Sequence, residues 1–474
     1  MASTREQAEA YAYENRRRTT SLIRGADEAR TDPRRRLNRG VGGGIAIGIL
    51  IMAGFGIAGW LGGGQGPDLP DSGAVLADGR PYVVVDGVVH PALNLTSALL
   101  AGGGQQTEVR ESVIDDAPRG LPVGIPGAPD AVPDADDLTT DPWTLCAVPS
   151  ETGGEPTRTA LYVSVPGIAP AEDAPSATVL GQTEDGRLWL LTEGRRYALE
   201  PGIRDLLGLG RVVPEQLPVW FVETLPEGNE ITVPATGGGT GDAPAAHLPF
   251  DAVVDDVAHT ELDGANPQYY LVRPDGLVNV SELEYTLLAA NAPQTHTIST
   301  AEAARAPRSE ERAFGEDQWP DAVPRADDPG RDQPVCVSTA PGSRAGDTPW
   351  QAALHLPDAL PEPEGLEPVT ATGGADIGEL TQIWMPTGTG VLVRATTSSG
   401  EGGTYTLVTD SGTAFPLASP DAVERLGYDP QDALPLPRGY VGLLPTGVTL
   451  DPEAAGIEHT GAVAEDATAE GGDA

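Results

Sequence analysis

The chain has 474 residues, with 29 basic against 70 acidic side chains and a formal net charge of -41 at pH 7. Every basic residue is an arginine. The absence of lysine excludes a standard P-loop, a Schiff-base lysine and a serine–lysine dyad, because each requires an amine on a four-carbon stem. The strong acidity also disfavours nucleic-acid binding, because such a chain repels phosphate.

No metal, cofactor or catalytic site is predicted. None of the six histidines falls at HxxxH or HExxH spacing, and two cysteines are too few for a cysteine-rich zinc site. The aspartate cluster at 134–137 lacks the glycine and terminal glutamate of a calcium loop, so we interpret it as a solvated turn. No GxSxG motif marks a nucleophile.

The first predicted element is a membrane-spanning helix over residues 40–61, GVGGGIAIGILIMAGFGIAGWL. No charged side chain lies between Gly40 and Pro67, and a helix of this length reaches roughly 33 Å, enough to cross a hydrocarbon core about 30 Å thick. A soluble core helix and a cleaved export signal are the alternatives, but the leader is long and no Ala-x-Ala site follows. Small residues at helical spacing predict close packing in lipid at Gly40, Gly44, Gly48, Gly54 and Ala58.

Charge predicts the orientation of this helix. Residues 1–39 contain ten arginines against six acids, whereas the remainder of the chain contains 19 arginines against 64 acids. Because positive residues stay on the cytoplasmic side, we expect residues 1–39 inside and everything after Leu61 outside. The arginine runs at 16–18 and 34–36 would rest on anionic lipid or on a partner subunit; a twin-arginine export signal is the less favoured interpretation.

Beyond a predicted linker at residues 62–74, four segments share one pattern. Each has a β-rich strand, a glycine-containing turn, a second strand and a leucine-rich helical turn. Because glycine tolerates the positive φ of a tight turn, each segment is predicted to be a β-hairpin followed by a short helix. The segments are 82–100, 188–207, 270–288 and 405–426, with turn glycines Gly87, Gly194, Gly276 and Gly412.

The spacing of shared landmarks predicts an internal duplication. Gly87 and Gly276 are 189 residues apart, and PDAVPDADD at 129–137 recurs as PDAVPRADD at 320–328, 191 residues later. Chance matching is the alternative, because the chain has 60 glycines and 45 prolines, yet the offsets agree. The predicted parts are a first half (75–255), a second half (265–453), a proline-rich surface insertion (355–374) and a disordered acidic tail (454–474).

Cys146 and Cys336 occupy equivalent positions of the two predicted halves, 190 residues apart. Outside the cytoplasm an even pair of cysteines usually bonds. Equivalent residues of halves related by a pseudo-dyad touch only near its axis, so we expect the disulfide to join the halves at their centre. Such a bond is worth up to about 5 kcal/mol, and two buried free thiols are the alternative.

Motifs spread over most of the chain resemble those of EccB, the single-pass membrane component of the actinobacterial type VII (ESX) secretion machinery. The N-terminal stretch TREQAEAYAYENRRRTTSLIRG begins at residue 4, and DGVVHPALNLTSALL begins at residue 86. Further motifs carry the resemblance to about residue 450: PRGLPVGIPGAPDAVP (118–133), TGTGVLVRA (387–395) and TLVTDSGTAFPL (406–417).

The resemblance implies a structural role and an architecture. It implies a cytoplasmic N-terminal helix, one span, and an α+β, β-rich extracytoplasmic region of four hairpin–helix repeats. These would form two pseudo-twofold halves around a central β domain closed by a disulfide. It also implies assembly in the cytoplasmic membrane with EccC, EccD, EccE and the mycosin protease, for export of WxG-type substrates.

Two other functions are compatible with the sequence. Family members are sometimes described as ATPases, although the lysine-free chain departs from any conventional nucleotide-binding loop, so we expect a non-catalytic protein. A cell-wall binding module is the other alternative, in which Trp189, Trp220 and Tyr270 stack on sugars of peptidoglycan or another glycan.

Overall fold

The computed structural model divides into two compact units, Met1–Asp68 and Leu69–Ala474. The structure describes residues 4–24, 44–53, 68–104, 106–149, 156, 158–171, 174–234, 240–261, 267–310, 319–330, 332–339, 352–369, 380–396 and 403–460.

The N-terminal unit is helical where it is described. Helix α1 spans Thr4–Arg24 and carries exposed i,i+4 ion pairs, one between Arg18 and Glu14 at 3.6 Å. Helix α2 occupies residues 44–53, the described part of the predicted span at 40–61. Among the described residues, no helix is both long enough and apolar enough to cross a membrane.

The larger unit is α+β and β-rich. Its described helices are short, and several begin at side-chain caps that satisfy free backbone N–H groups. Ser281, for example, accepts from the backbone N–H of Glu284, whose carboxylate in turn accepts from the Ser281 N–H. In chain order these helices are α3 (Leu95–Gly102), α4 (Glu111–Asp115), α5 (Ile203–Leu206), α6 (Val219–Val222), α7 (Glu282–Ala289), α8 (Thr300–Arg305), α9 (Pro420–Arg425), α10 (Arg438–Gly442) and α11 (Pro452–Ala455).

Twenty-one strands are found in the described part of this unit. They are β1 (Gly73–Ala77), β2 (Arg80–Val85), β3 (Val88–Pro91), β4 (Gln106–Val109), β5 (Thr144–Val148), β6 (Arg158–Tyr162), β7 (Val179–Gln182), β8 (Leu188–Thr192), β9 (Arg195–Ala198), β10 (Glu215–Gln216), β11 (Val257–Thr260), β12 (Tyr269–Arg273), β13 (Gly276–Val280), β14 (Thr295–Ile298), β15 (Val335–Thr339), β16 (Ala352–His355), β17 (Gln382–Trp384), β18 (Gly390–Thr396), β19 (Thr404–Thr409), β20 (Ala414–Pro416) and β21 (Leu434–Pro437).

Four outer sheets share one strand order, in which the first strand lies between the second and the fourth. Sheet 1 contains β1–β4, sheet 2 contains β7–β10, sheet 3 contains β11–β14, and sheet 4 contains β18–β21. In each sheet the first three strands are antiparallel, and a helix then returns the chain so that the fourth strand pairs parallel with the first. A second short helix follows the fourth strand.

Each outer sheet contains one of the four predicted hairpins and its helix. The structure adds a strand before the hairpin and a parallel strand after the helix, neither of which was predicted. In sheet 1, β1 begins at Gly73, inside the predicted linker at 62–74, and Leu69 packs on its core. The predicted linker is therefore too long at its C-terminal end.

The central sheet has the order β16–β15–β5–β6–β17. One of its faces packs on sheets 2 and 4 in the largest core cluster, to which helices α6 and α10 contribute Phe221 and Tyr440. The rings of Trp143 and Tyr440 meet edge-on with centroids 6.5 Å apart. The other face of the central sheet carries both cysteines.

Candidate functional site

The predicted disulfide is present at the middle of the central sheet. Cys146 of β5 and Cys336 of β15 are directly opposite in the antiparallel pair, with their Cα atoms 4.1 Å apart. Both residues are fully buried. The next pair along the same face joins Thr144 and Ser338 by a hydroxyl–hydroxyl hydrogen bond of 2.7 Å. The disulfide thus ties a strand from the N-terminal part of the chain to a strand from its C-terminal part.

The proline-rich stretch predicted as a surface insertion at 355–374 lies at the surface where it is described, and there it crosses the disulfide face. Its described part packs Leu360 and Leu366 on the cluster that contains both cysteines. The Tyr162 hydroxyl donates to the carbonyl of Pro361 at 2.7 Å, and burial raises the pKa of this phenol. These contacts were not predicted, because isolated leucines in a proline-rich segment leave no periodic signal.

The duplicated PDAVPxADD motif accepts a hydrogen bond from the first turn of a helix at both of its positions. The carbonyl of Asp130 accepts from the backbone N–H of Leu95 at the start of α3, at 2.9 Å. The carbonyl of Asp321 accepts from the N–H of Leu283 in the first turn of α7, at 3.3 Å. Each motif therefore satisfies a free donor at a helix start. The predicted turn within residues 134–137 is a short 3₁₀ helix, Ala135–Asp137.

Each motif then runs onto a different outer sheet. We call residues 129–139 the first strap and residues 320–328 the second strap. The first strap leaves sheet 1 and reaches sheet 4, where the Thr139 N–H donates to the carbonyl of Gly390 at 2.9 Å. The second strap leaves sheet 3 and reaches the segment before sheet 2, where it exchanges two hydrogen bonds between Thr178 and Asp327, at 2.7 and 2.8 Å.

Beside each strap, two outer sheets and their helices share one hydrophobic core. Leu100 and Ile125, which come from sheet 1 and the loop after it, lie in one cluster with sheet 4 residues such as Phe415. Arg425 of α9 also donates to the carbonyl of Leu100 at 2.8 Å. Leu283 and Leu287 of α7, from sheet 3, lie in one cluster with sheet 2 residues. Sheet 1 is thus joined to sheet 4, and sheet 2 to sheet 3.

The four predicted turn glycines all have positive φ, but their surroundings differ. The φ values are 75° for Gly87, 68° for Gly194, 150° for Gly276 and 71° for Gly412. A side chain at Gly87 would meet no heavy atom within 4 Å, whereas one at Gly194 would collide with the carbonyl oxygen of Ala352 in β16. Gly412 faces Ile383 of β17, so the turns of sheets 2 and 4 rest on opposite edge strands of the central sheet.

Only two of the glycines predicted to pack in the membrane fall in the described part of the chain. Gly44 and Gly48 lie in α2, and a Cβ at either would meet no heavy atom within 4 Å. Gly40, Gly54 and Ala58 lie outside the described residues. Packing of this segment therefore stays a prediction.

The aromatic residues considered for sugar stacking belong to the cores. Trp189 and Tyr270 are buried, and Trp220 packs partly buried against the largest cluster. The indole of Trp189 is already flanked by the guanidinium groups of Arg187 and Arg196, at 4.6 and 5.4 Å from the ring centroid. Trp189 and Tyr270 therefore offer no open stacking platform for a glycan. Across the residues that the structure describes, no group of three or more His, Cys, Asp and Glu is placed to hold a metal ion.

Comparison with known proteins decides the family. A family model described as "Type VII secretion system ESX-1, transport TM domain B" matches residues 1–464. The chain belongs to this family, EccB. The resemblance predicted from the sequence motifs is thereby confirmed.

Individual EccB proteins are similar to this chain over nearly its whole length. "ESX-3 secretion system ATPase EccB3" of Mycobacterium tuberculosis is 28% identical over 492 residues, covering 96% of this chain and 89% of that protein. "ESX-1 secretion system ATPase EccB1" of the same organism is 26% identical, with coverages of 96% and 95%.

Solved structures of EccB proteins have the same fold. The "Structure of EccB3 dimer from the ESX-3 core complex" matches with a TM-score of 0.63 at 26% identity, covering 81% of this chain and all of that one. The "Structure of an intact ESX-5 inner membrane complex, Composite C3 model" matches with a TM-score of 0.61 at 23% identity, covering 99% and 98%.

The C-terminal end of this EccB chain is ordered further than predicted. The disordered tail was expected from residue 454, but Ala455 is buried in α11. His459 donates from its backbone N–H to Pro122 at 2.7 Å, and its ring Nε2 lies 2.6 Å from the carbonyl oxygen of Gly124. The small and acidic residues of this segment gave no sign of these contacts, because the contacts are made by backbone groups and by one histidine side chain. Residues 461–474 lie outside the described residues.

A buried polar cluster before and within sheet 3 was also missed. Asp255 has a positive φ of 71°, and its buried carboxylate pairs with Arg273 at 3.3 Å. The buried carboxylate of Asp256 accepts from the N–H groups of Val253 and Gln294 and lies 2.7 Å from Nε2 of His296. No sequence motif marks this cluster, and neighbouring side chains and backbone N–H groups bind both of its carboxylates.

Proposed function

We propose that this protein is a non-catalytic structural subunit of a type VII (ESX) secretion complex in the cytoplasmic membrane, supporting export of WxG-type proteins. The match of the EccB family model to residues 1–464 carries the proposal. We infer a multimeric assembly with EccC, EccD, EccE and the mycosin protease. In support, similar solved structures are described as parts of an ESX-5 inner membrane complex and of an ESX-3 core complex.

The arrangement of the larger unit suits a scaffold. Two buried carboxylates are bound internally, in the pairs of Asp255 with Arg273 and Asp256 with His296. We infer that the four outer sheets are repeats in two pseudo-twofold halves, related by an axis near the disulfide. The four sheets have the same strand order, and each of the two straps accepts a hydrogen bond from the start of a helix; both observations support this inference.

We further propose a single membrane span at residues 40–61, with residues 1–39 in the cytoplasm and residues 69–460 outside. The charge difference across the segment supports this orientation. A reporter enzyme that is active only outside the cytoplasm, fused after residue 460, should be active, and the same reporter fused after residue 39 should be inactive. The reverse pattern, or activity of neither fusion, would contradict the topology.

The assembly is tested by blue-native electrophoresis of membranes solubilised in mild detergent, with mass spectrometry of the band that contains this chain. Co-migration with EccC, EccD and EccE is expected. A chain that migrates alone, while those subunits co-migrate with one another, would contradict the proposal.

Nucleotide hydrolysis is the second candidate, because the names of the related EccB3 and EccB1 proteins include "ATPase". The chain has no lysine to hold a phosphate. Three clefts of about 310 to 420 Å³ in the described residues are lined by more carboxylates than guanidinium groups, which disfavours a triphosphate. Purified full-length protein should therefore release phosphate from ATP no faster than a heat-denatured control. Steady turnover that co-purifies with the chain would favour the second candidate.

A further inference from the structure

The segment that follows β16 has to cross the whole central sheet. It leaves β16 at His355, on one edge of the sheet, and at Val369 it pairs with Ile383 of β17, on the opposite edge. Strands lie about 4.8 Å apart, so the crossing covers roughly 19 Å. We call residues 356–369 the cover.

The cover lies over the face that carries the disulfide. Leu360 and Leu366 pack on the cluster of Cys146 and Cys336, beside the stacked rings of Tyr162 and Trp384, whose centroids are 6.2 Å apart. The other face of the same sheet is closed by the largest core cluster. Both cysteines therefore have no exposed surface on either side.

Hydrogen bonds fasten the cover at its two ends and in between. Gln333 donates to the carbonyl of Leu356 at 3.0 Å, near the start of the cover. Tyr162 donates to Pro361 at 2.7 Å, and the N–H of Val369 donates to Ile383 at 2.7 Å. The cover is thus attached to three different parts of the central domain.

This closure decides when the disulfide can react. Exchange requires a thiolate to reach one sulfur of a disulfide and to pass through a mixed disulfide, which needs open space beside that sulfur. We propose that the cover isolates the Cys146–Cys336 bond from thiol exchange, and that the bond is made by a protein disulfide carrier before the cover closes. In that step the carrier's disulfide takes two electrons and two protons from the two cysteine thiols. The products are the Cys146–Cys336 bond and a carrier dithiol.

The first test is the rate of reduction in the folded protein. Full-length protein in detergent is held in dithiothreitol, and free thiols are counted over time by maleimide labelling and mass spectrometry. The wild type should stay oxidised for hours without denaturant and be reduced within minutes in guanidinium. Reduction of the folded wild type as fast as the denatured chain would overturn the proposal.

A matched pair of variants separates opening of the cover from general instability. Leu366→Ala removes a half-buried leucine of the cover, and Leu188→Ala removes a half-buried leucine of the sheet 2 core. Leu366→Ala should accelerate reduction about tenfold, since it favours local opening, whereas Leu188→Ala should leave the rate near the wild type. Equal acceleration by both variants would show that exchange follows general unfolding and would overturn the role of the cover.

The second test is the order of oxidation and closure. Reduced, denatured protein is diluted into native buffer under nitrogen, and oxidised DsbA is added either at once or after tryptophan fluorescence has stopped changing. The disulfide should form at least about tenfold more slowly on late addition, and Leu366→Ala should remove most of that delay. Equal rates at both times would overturn the proposed order.

Discussion

The contact between the turn of sheet 2 and the central sheet yields a sharp prediction for Gly194→Ala. A Cβ at this position would lie 1.8 Å from the carbonyl oxygen of Ala352, and the backbone would hold alanine at a φ of 68°. Gly87→Ala is the matched control, because φ is 75° there and a Cβ would meet nothing within 4 Å. Both glycines occupy the same position of a hairpin turn in their sheets.

The expected magnitudes follow from these geometries. The left-handed conformation costs an alanine about 1 kcal/mol at either position. In Gly194→Ala the new Cβ must also push β16 away by more than 1 Å. Overpacking of this kind adds about 2 to 3 kcal/mol to the loss of stability. We therefore expect a loss of about 1 kcal/mol for Gly87→Ala and of about 3 to 4 kcal/mol for Gly194→Ala.

The assay is guanidinium unfolding of both variants, together with hydrogen exchange of the strands that carry the turn. Protection should fall in β8, β9 and β16 of Gly194→Ala and stay unchanged in β16 of Gly87→Ala. A Gly194→Ala protein no less stable than Gly87→Ala would refute the docking of this turn on the central sheet.

Three further changes test the cores and their charges. Burial lowers the pKa of His355, so on acidification the unfolded chain binds a proton before the folded protein does, and the free energy of unfolding should fall as the pH drops below about 6.5. Between pH 7 and pH 5 the free energy of unfolding should fall less in His355→Gln than in the wild type. Burial raises the pKa of Tyr428, so the contribution of this phenol to the free energy of unfolding should be complete below about pH 10 and be lost above it. Tyr428→Phe should remove this residue's share of the alkaline loss of stability. It should also cost about 1 kcal/mol at pH 7, because the carbonyl of Pro133 loses its hydrogen-bond donor. Arg425→Met should cost about 1 to 2 kcal/mol in urea unfolding, because it removes the hydrogen bond to Leu100.

Local chemistry explains what the sequence predicted well. The hairpins were predicted because each needs one glycine with positive φ between two apolar runs, and this requirement is met within a few residues. The disulfide was predicted because the duplication placed Cys146 and Cys336 at equivalent positions. The motif PDAVPxADD was recognised as repeated, although its role as a helix-capping strap was not.

Pairing between distant residues explains what the sequence did not predict. The strand GAVLA at 73–77, whose first two residues fell in the predicted linker, was not recognised, although Asp78 and Gly79 form a tight turn to β2; its parallel partner β4 begins only at Gln106. Parallel pairing leaves no alternation or turn motif in a four-residue strand such as QTEV. The contacts of the cover were not predicted for a related reason, since Leu360 and Leu366 meet their partners only in the folded central domain.

The connectivity of the larger unit determines how it can deform. Sheets 1 and 2 come from the N-terminal part of the chain and sheets 3 and 4 from the C-terminal part, yet the shared cores join sheet 1 to sheet 4 and sheet 2 to sheet 3. Pulling the two parts of the chain away from each other would therefore expose both shared cores, and it would also strip β5 from β15 against the disulfide. Each shared core is also bridged by one of the two straps. A unit braced in this way holds the surfaces of its outer sheets at fixed separations, which is what the proposed scaffold role requires of it.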